Sequence, residues 1–233
     1  MCFDSNLQKQ LPNHVAFIMD GNRRWAKKKK LKIIDGHKKG SEIVKKIVKK
    51  SLEFNIKYLT FFSFSTENWN RSKDEILNLQ TLLSFYLDSE EEHFIKKQIK
   101  FSFIGEIDKF DNKIKLKLKN LQVLTRNFNK LHFTLALSYG SRSEILNSIK
   151  KISKNVSLLT EADIAKNLMT KDIPDPDLVI RTSGEMRLSN FLLWQVAYSE
   201  LYFTKTLWPE FSTQKYVLAL KNYINRKRRF GGD

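Results

Sequence analysis

Short, continuously apolar runs alternate along this chain with longer stretches in which apolar residues recur every three or four positions. Residues 15–19, VAFIM, are apolar without interruption, as in a strand buried on both faces. The runs at 57–64 (KYLTFFSF), 99–104, 132–139 and 177–182 (DLVIRT) read the same way, and 199–203 (SELYF) is a sixth. Helical spacing places Ile43, Val44, Ile47, Val48 and Leu52 on one face of 34–55. It places Ile76, Leu79, Leu83, Leu87 and Phe94 on one face of 72–100. A very basic amphipathic helix is predicted over 109–128. Another is predicted over 141–154, with Ser141 or Ser143 as N-cap and Glu144 in its first turn. Residues 160–169 open on TEAD, a capping box with Asp163 where Glu or Gln is usual. The segment Ile173-Pro174-Asp175-Pro176 is a stiff linker. Strands alternating with helices predict an α/β fold, one domain over 1–233 with a mostly parallel sheet flanked by helices.

The polar residues that follow these runs carry the candidate chemistry. After 15–19 come Asp20, the turn residues Gly21 and Asn22, and a basic helix beginning Arg23-Arg24-Trp25. Ligands of open α/β sheets bind at such an edge, and a helix start favours phosphate. Asp20 is a candidate ligand of a divalent cation and Arg24 of a phosphate; an N-capping Asp in an ordinary turn is the plainer reading. His37, in GHKKG, starts a helix near the same edge and faces either this cleft or solvent. After 57–64 comes a run of ligand-orienting side chains: Ser65, Thr66, Glu67, Asn68, Trp69, Asn70, Arg71. After 177–182, Arg181 and Arg187 flank a turn that also holds Leu188 and Ser189. Two guanidinium forks and a hydroxyl make a diphosphate clamp, and Glu200 is a further carboxylate near it. Glu90-Glu91-Glu92 are consecutive on a helix and point different ways, which predicts a solvated patch. The apolar side of 72–100 is either core or the wall of a hydrophobic tunnel.

Composition narrows this picture. The chain has 233 residues, 41% of them hydrophobic, and its 17 Phe and 4 Trp suffice for a large core or a lipid-sized cavity. One cysteine, Cys2, excludes a disulfide framework or a cysteine zinc site within one chain. The first eleven residues lack a signal-peptide core, and no apolar run is long enough to span a bilayer, so a cytoplasmic protein is expected, in peripheral contact with the inner membrane face. Neither a P-loop nor a G-x-G-x-x-G fingerprint is present. A net charge of +17 admits nucleic acid, an anionic surface or phosphorylated small molecules as partners. A nucleic-acid binder gives no role to Asp20, Glu67 or Glu200. A Mg²⁺-dependent diphosphate hydrolase uses the acids and arginines but not two anion clamps and a tunnel.

Together MDGNRRWA (19–26), GHKKG (36–40), FSTENWNR (64–71), LVIRTSGEMRLSNFLLWQ (178–195), SELYF (199–203) and RRFGG (228–232) resemble the cis-prenyltransferase family, in the family's order and over nearly the whole chain. The resemblance implies a six-stranded parallel sheet with a hydrophobic tunnel between sheet and helices, a homodimer, and no nucleic acid. It implies Mg²⁺-dependent addition of isopentenyl diphosphate to an allylic diphosphate such as farnesyl diphosphate, with cis double bonds. The metal ligands fall on Asp20 and Glu200, and Asp20 and Asn68 are the catalytic pair, Asn68 helping to remove the proton. The allylic diphosphate falls on Gly21, Asn22, Arg23, Arg24, Trp25 and His37. Isopentenyl diphosphate falls on Arg181, Arg187, Leu188 and Ser189, with Arg229 and Gly231 reaching the partner's site. Ser65, Thr66, Glu67, Trp69 and Arg71 match a loop that closes over the substrates. Phe61, Phe62, Phe64 and the helix over 77–87 are the expected tunnel walls. The chain departs from the family pattern at Arg23 and Ser183, where Gly is usual, at Ile33, where Arg is usual, and at Met186, where His is usual.

Overall fold

The computed structural model describes residues 5–152 and 156–226. All six expected strands form: β1 (His14–Ile18), β2 (Tyr58–Ser65), β3 (Ile99–Ile104), β4 (Leu131–Tyr139), β5 (Leu178–Arg181) and β6 (Glu200–Phe203). They make one sheet in the order β3-β4-β2-β1-β5-β6, every neighbouring pair parallel. β1 is central and fully buried, which is why its run shows no polar alternation. Parallel pairing puts the C-terminal ends of β1, β2 and β5 side by side, so the polar sequences following them converge on one edge.

The helices are α1 (Ser5–Gln8), α2 (Asn22–Lys28), α3 (Ile33–Glu53), α4 (Lys73–Lys97), α5 (Asn112–Thr125), α6 (Ser141–Lys150), α7 (Glu161–Ala165) and α8 (Thr213–Ile224). α4 is shorter than its apolar period predicts, because Gln98 turns left-handed (φ 53°) and β3 starts at once. Asp111 caps α5 through the Ile114 amide at 2.8 Å, and Thr160 and Asp163 form the expected capping box on α7. Neither Ser141 nor Ser143 caps α6. Gly140 is its N-cap residue, and the first two helical amides are taken by Asn190 from elsewhere in the chain. No helix among the described residues is long and apolar enough to cross a membrane.

One face of the sheet packs under α3, α4, α5 and α8 around Phe17, Ile47, Phe61, Phe133 and Trp208. The other packs Ala16, Ile18, Ala136 and Tyr139 against Phe191 and Leu192. β2 and β4 change faces partway along. Phe62 pairs with Ala136 but Phe64 with Leu137, so Ser63 is an extra residue on β2; Ser65 then pairs with Tyr139, so Ser138 (φ 47°) is an extra residue on β4. Phe62 therefore stacks on Phe191 on one face, at 4.5 Å between centroids, while Phe64 meets Trp69 and Phe110 on the other.

Candidate active site

Asp20 stands two residues past β1, where the chain turns into α2. Its carbonyl accepts from Trp208 N at 3.0 Å and from Thr182 Oγ1 at 2.6 Å, which fixes the turn against β5 and the segment after β6. Gly21 makes the turn at φ 113°, and a Cβ there would lie 3.0 Å from the Leu207 backbone. Gly36 and Gly40 let α3 lie directly on Asn22: added Cβ atoms would stand 2.3 Å from its carbonyl and 2.5 Å from its side-chain oxygen.

The Asp20 carboxylate is shared by two guanidinium groups. Arg181 donates to Oδ2 at 2.9 Å, and Arg24 reaches the same oxygen at 3.2 Å. Burial pushes the Asp20 carboxyl up, but bonds from Arg181 and Ser183 and the charges of Arg24 and Arg181 outweigh it and hold the group below its ordinary range. Arg181, almost fully buried, also donates to Ser189 Oγ at 2.7 Å and to the Arg187 carbonyl. Arg24 also binds the Ser183 carbonyl and hydroxyl and Glu185 Oε1, while Arg187 pairs with Glu185 Oε2. Acids and bases thus alternate from Arg181 through Asp20, Arg24 and Glu185 to Arg187. Each guanidinium is held in place without its charge being free.

A cleft of about 740 Å³ opens beside this chain of charges, lined by Asp20 to Arg24, Lys27, His37, Ser65, Glu67, Asn68, Arg71 and Ser189. Residues Thr66–Asn70 form a 3₁₀ turn closed by a capping box between Ser65 and Asn68, with Asn68 Oδ1 accepting from Ser65 N at 3.3 Å. Arg71 binds Glu75 at 3.0 Å, and Arg23 approaches the same carboxylate at 3.7 Å. Burial, then the charges of Arg71 and Arg23, push His37 down to about 4, so its imidazole is neutral at pH 7. Its Nε2 and Asn22 Oδ1 are buried without hydrogen-bond partners. Both residues border the cleft and the space behind it.

Behind the cleft an apolar channel of about 180 Å³ runs between the sheet and α3 and α4. Leu79, Leu83 and Leu87 of α4 and Val44 and Val48 of α3 line it, and Phe94, Phe101, Leu121 and Phe133 stand among its walls. Met19, Asn22, His37, Phe62, Ser63 and Phe64 border both spaces. Phe61 does not line the channel; it stacks on Phe17 at 4.9 Å within the core. Leu77 also faces away and is 63% exposed. Glu90 pairs with Lys45 and His93.

Several other expected residues lie elsewhere. Trp69 turns from the cleft into the core, its ring against Phe64 and Phe110 and its Nε1 donating to Ser138 Oγ at 2.8 Å. Leu188 packs under the opposite sheet face. Trp25 and Thr66 flank cleft residues without lining the space. Glu200 is not brought to Asp20 within the chain. It starts β6, level with Leu178 and Val15, five residue rises or about 16 Å before Asp20, and it pairs there with Arg226. Arg229 and Gly231 lie outside the described residues. The departures have distinct consequences. Arg23 adds the Glu75 contact and Ser183 adds a hydroxyl for Arg24, whereas Met186 is 77% exposed. Glu75, Glu185, Thr182 and Lys27 are site residues that sequence reasoning missed. Only Glu75 carried a signal, an acid in the first turn of the predicted helix four positions beyond Arg71.

Among the described residues no three His, Cys, Asp or Glu side chains gather to cage a metal. Asp20 presents an ionised carboxylate, paired with two arginines, to a cleft rich in anion-binding groups, and Glu67 presents another. That donor set suits Mg²⁺, which uses one or two carboxylates together with substrate phosphates and water.

A family model described as "Putative undecaprenyl diphosphate synthase" matches residues 18–231. An isoprenyl transferase from Thermotoga maritima is 47% identical over 228 residues, 96% of this chain and 98% of that protein. A ditrans,polycis-undecaprenyl-diphosphate synthase ((2E,6E)-farnesyl-diphosphate specific) from Vibrio vulnificus is 40% identical, covering 96% of this chain and 92% of its own. The crystal structure of lavandulyl diphosphate synthase from Lavandula x intermedia in complex with dimethylallyl diphosphate superimposes with a TM-score of 0.92 at 35% identity, over 96% of this chain and 100% of that one. By its sheet and these relatives, the chain belongs to the undecaprenyl diphosphate synthase family of prenyltransferases.

Proposed function

We propose that this protein adds isopentenyl diphosphate repeatedly to farnesyl diphosphate, forming cis double bonds and ending at undecaprenyl diphosphate, the lipid carrier precursor for cell-wall polysaccharide. One observation carries the reading: the guanidinium groups of Arg181 and Arg24 meet on Asp20, and an apolar channel borders the cleft that Asp20 and Arg24 line. A hydrolase needs one clamp and no channel.

The allylic diphosphate sits at the start of α2, against Gly21, Asn22, Arg23 and Arg24, with the neutral His37 donating or accepting from the floor and Arg71 closing the side. Isopentenyl diphosphate takes Arg181, Arg187 and Ser189. Two fixed diphosphates set the double bond of one substrate against the allylic carbon of the other. As the allylic C–O bond breaks, Arg24 and Arg71 meet the negative charge that gathers on the departing diphosphate. Asp20 would hold Mg²⁺, which when bound would supply further charge stabilisation there. The proton lost from the condensed carbon goes to a diphosphate oxygen that Asn68 orients, because a carbocation this acidic needs only a weak base. The hydrocarbon lengthens into the channel, where each buried CH₂ is worth about 0.8 kcal/mol. Long products are therefore held tightly, and contact with a membrane surface assists their release. A homodimer belongs to the same reading, supported by β6 lying at a sheet edge with Tyr198 and Leu193 exposed beside it.

The test is to incubate the purified protein with farnesyl diphosphate and labelled isopentenyl diphosphate, with and without Mg²⁺, and resolve the lipids by mass. A Mg²⁺-dependent ladder ending at undecaprenyl diphosphate is expected. Release of diphosphate without longer lipid overturns the reading.

A further inference from the structure

Three parts of the cleft meet at Asn190. It follows Ser189, whose hydroxyl accepts from Arg181 at 2.7 Å. Its carbonyl accepts from Ser141 N at 2.8 Å and its Oδ1 from Arg142 N at 2.9 Å, so it caps α6 from 48 residues away. The Arg142 amide only donates, which assigns the side-chain oxygen to that side and turns Nδ2 the other way. Nδ2 there donates to Glu67 Oε1 at 3.3 Å, in the turn that also carries Asn68. Gly140 makes the approach possible: a Cβ would lie 2.8 Å from Asn190 Nδ2 and 2.9 Å from Thr66 Oγ1. Ser189 and Asn190 both hold left-handed backbone, φ 50° and 63°, a conformation Asn tolerates better than most residues.

We propose that Asn190 is a positioning residue that couples the 66–71 turn to the Ser189–Arg181 clamp. α6 is the fixed point of the device. Its buried Glu144 holds Gln195 at 3.0 Å, and Ser141 Oγ accepts from Leu193 N at 2.9 Å, so the segment after Asn190 is anchored to the same helix. A diphosphate that engages Ser189 and Arg181 acts on residues 189 and 190, which bridge the clamp to α6, and Glu67 follows through its bond to Asn190. Occupancy by the second substrate thereby orders the turn that closes over the first. The inference rests on the function proposed above and names how the isopentenyl site regulates closure.

Asn190→Asp tests it. The aspartate still accepts from Arg142 N, and its charge suits a helix start, but it turns a carboxylate toward Glu67 in place of a donor. The 66–71 amides should exchange hydrogen about fivefold faster, the weight of one ordinary hydrogen bond. The KM for isopentenyl diphosphate should rise and kcat should fall. Adding Glu67→Gln should restore the exchange rate, because its amide donates to the new carboxylate, whereas Glu67→Gln alone should stay near wild type in exchange. Wild-type exchange in Asn190→Asp, or no rescue in the double variant, overturns the coupling. Should Asn190→Asp not fold, Glu67→Lys at its exposed position must loosen 66–71 and 189–193 together; loosening of 66–71 alone overturns it. A wild-type protein that makes no elongated product overturns the proposed function instead, while the exchange measurements still read the coupling.

Discussion

Arg181, the last residue of β5, and Asp20, two residues past the end of the neighbouring β1, are joined by a 2.9 Å hydrogen bond from Nη2 to Oδ2. The bond keeps the Asp20 carboxylate at the cleft ionised and neutralises the guanidinium buried behind it. Asp20→Asn preserves an acceptor for Arg181 but removes the charge. Turnover should fall by at least about 100-fold with the thermal midpoint little changed. Near-normal turnover, with isopentenyl diphosphate saturating, removes Asp20 from the chemistry.

Arg187 is 62% exposed and pairs only with Glu185, so it contributes little to the fold. Arg187→Ala should raise the KM for isopentenyl diphosphate by roughly 10- to 100-fold, the loss of a charged hydrogen bond. The KM for farnesyl diphosphate should move far less. Equal effects on both would merge the two clamps into one.

The channel should set product length. Leu83 lies partway along it, short of Phe94, Phe101 and Phe133. Leu83→Trp should end the ladder at shorter lipids while the first addition keeps its rate. An unchanged product distribution places the growing chain elsewhere.

Burial holds His14, His37 and His132 at about 4, against an ordinary 6.5. The unfolded chain therefore binds more protons than the folded one between those values. Stability is complete above about pH 6.5 and is lost as pH falls toward 4. Asp20, held below its ordinary range, acts the same way only at lower pH. Urea unfolding at pH 7, 6 and 5 should show a falling free energy, and the fall should be smaller in His132→Gln. A flat profile would mean that these imidazoles are not neutral in the native state.

Contiguous features were legible in the sequence. The strands announce themselves as apolar runs, and Asp20 to Arg24 or Ser65 to Arg71 arrive as unbroken polar sequences after them. Relationships between distant segments were not. Nothing near Asn190 points to Glu67, and nothing near Arg23 points to Glu75. Glu200 shows why proximity to a motif misleads: its strand neighbours β5, yet four residues of strand put it and Arg181 at opposite ends. Trp69 sits in a polar run, but a 3₁₀ turn aims its ring inward where Phe64 and Phe110 wait.

The extra residue Ser63 has a reach beyond local geometry. In an unbroken strand Phe62 and Phe64 would share a side, and the side chain after the junction would join Phe191 beneath the sheet. The insertion reverses that parity just where the charged and oily compartments share a border. A single residue thus acts as a switch in the wiring of the strand: upstream of it the odd-numbered Leu59 and Phe61 face the larger core, downstream the even-numbered Phe64 does. Drawing Ser63 back into regular pairing, with no residue lost, would leave composition and charge untouched and yet turn Phe64 to the wrong compartment.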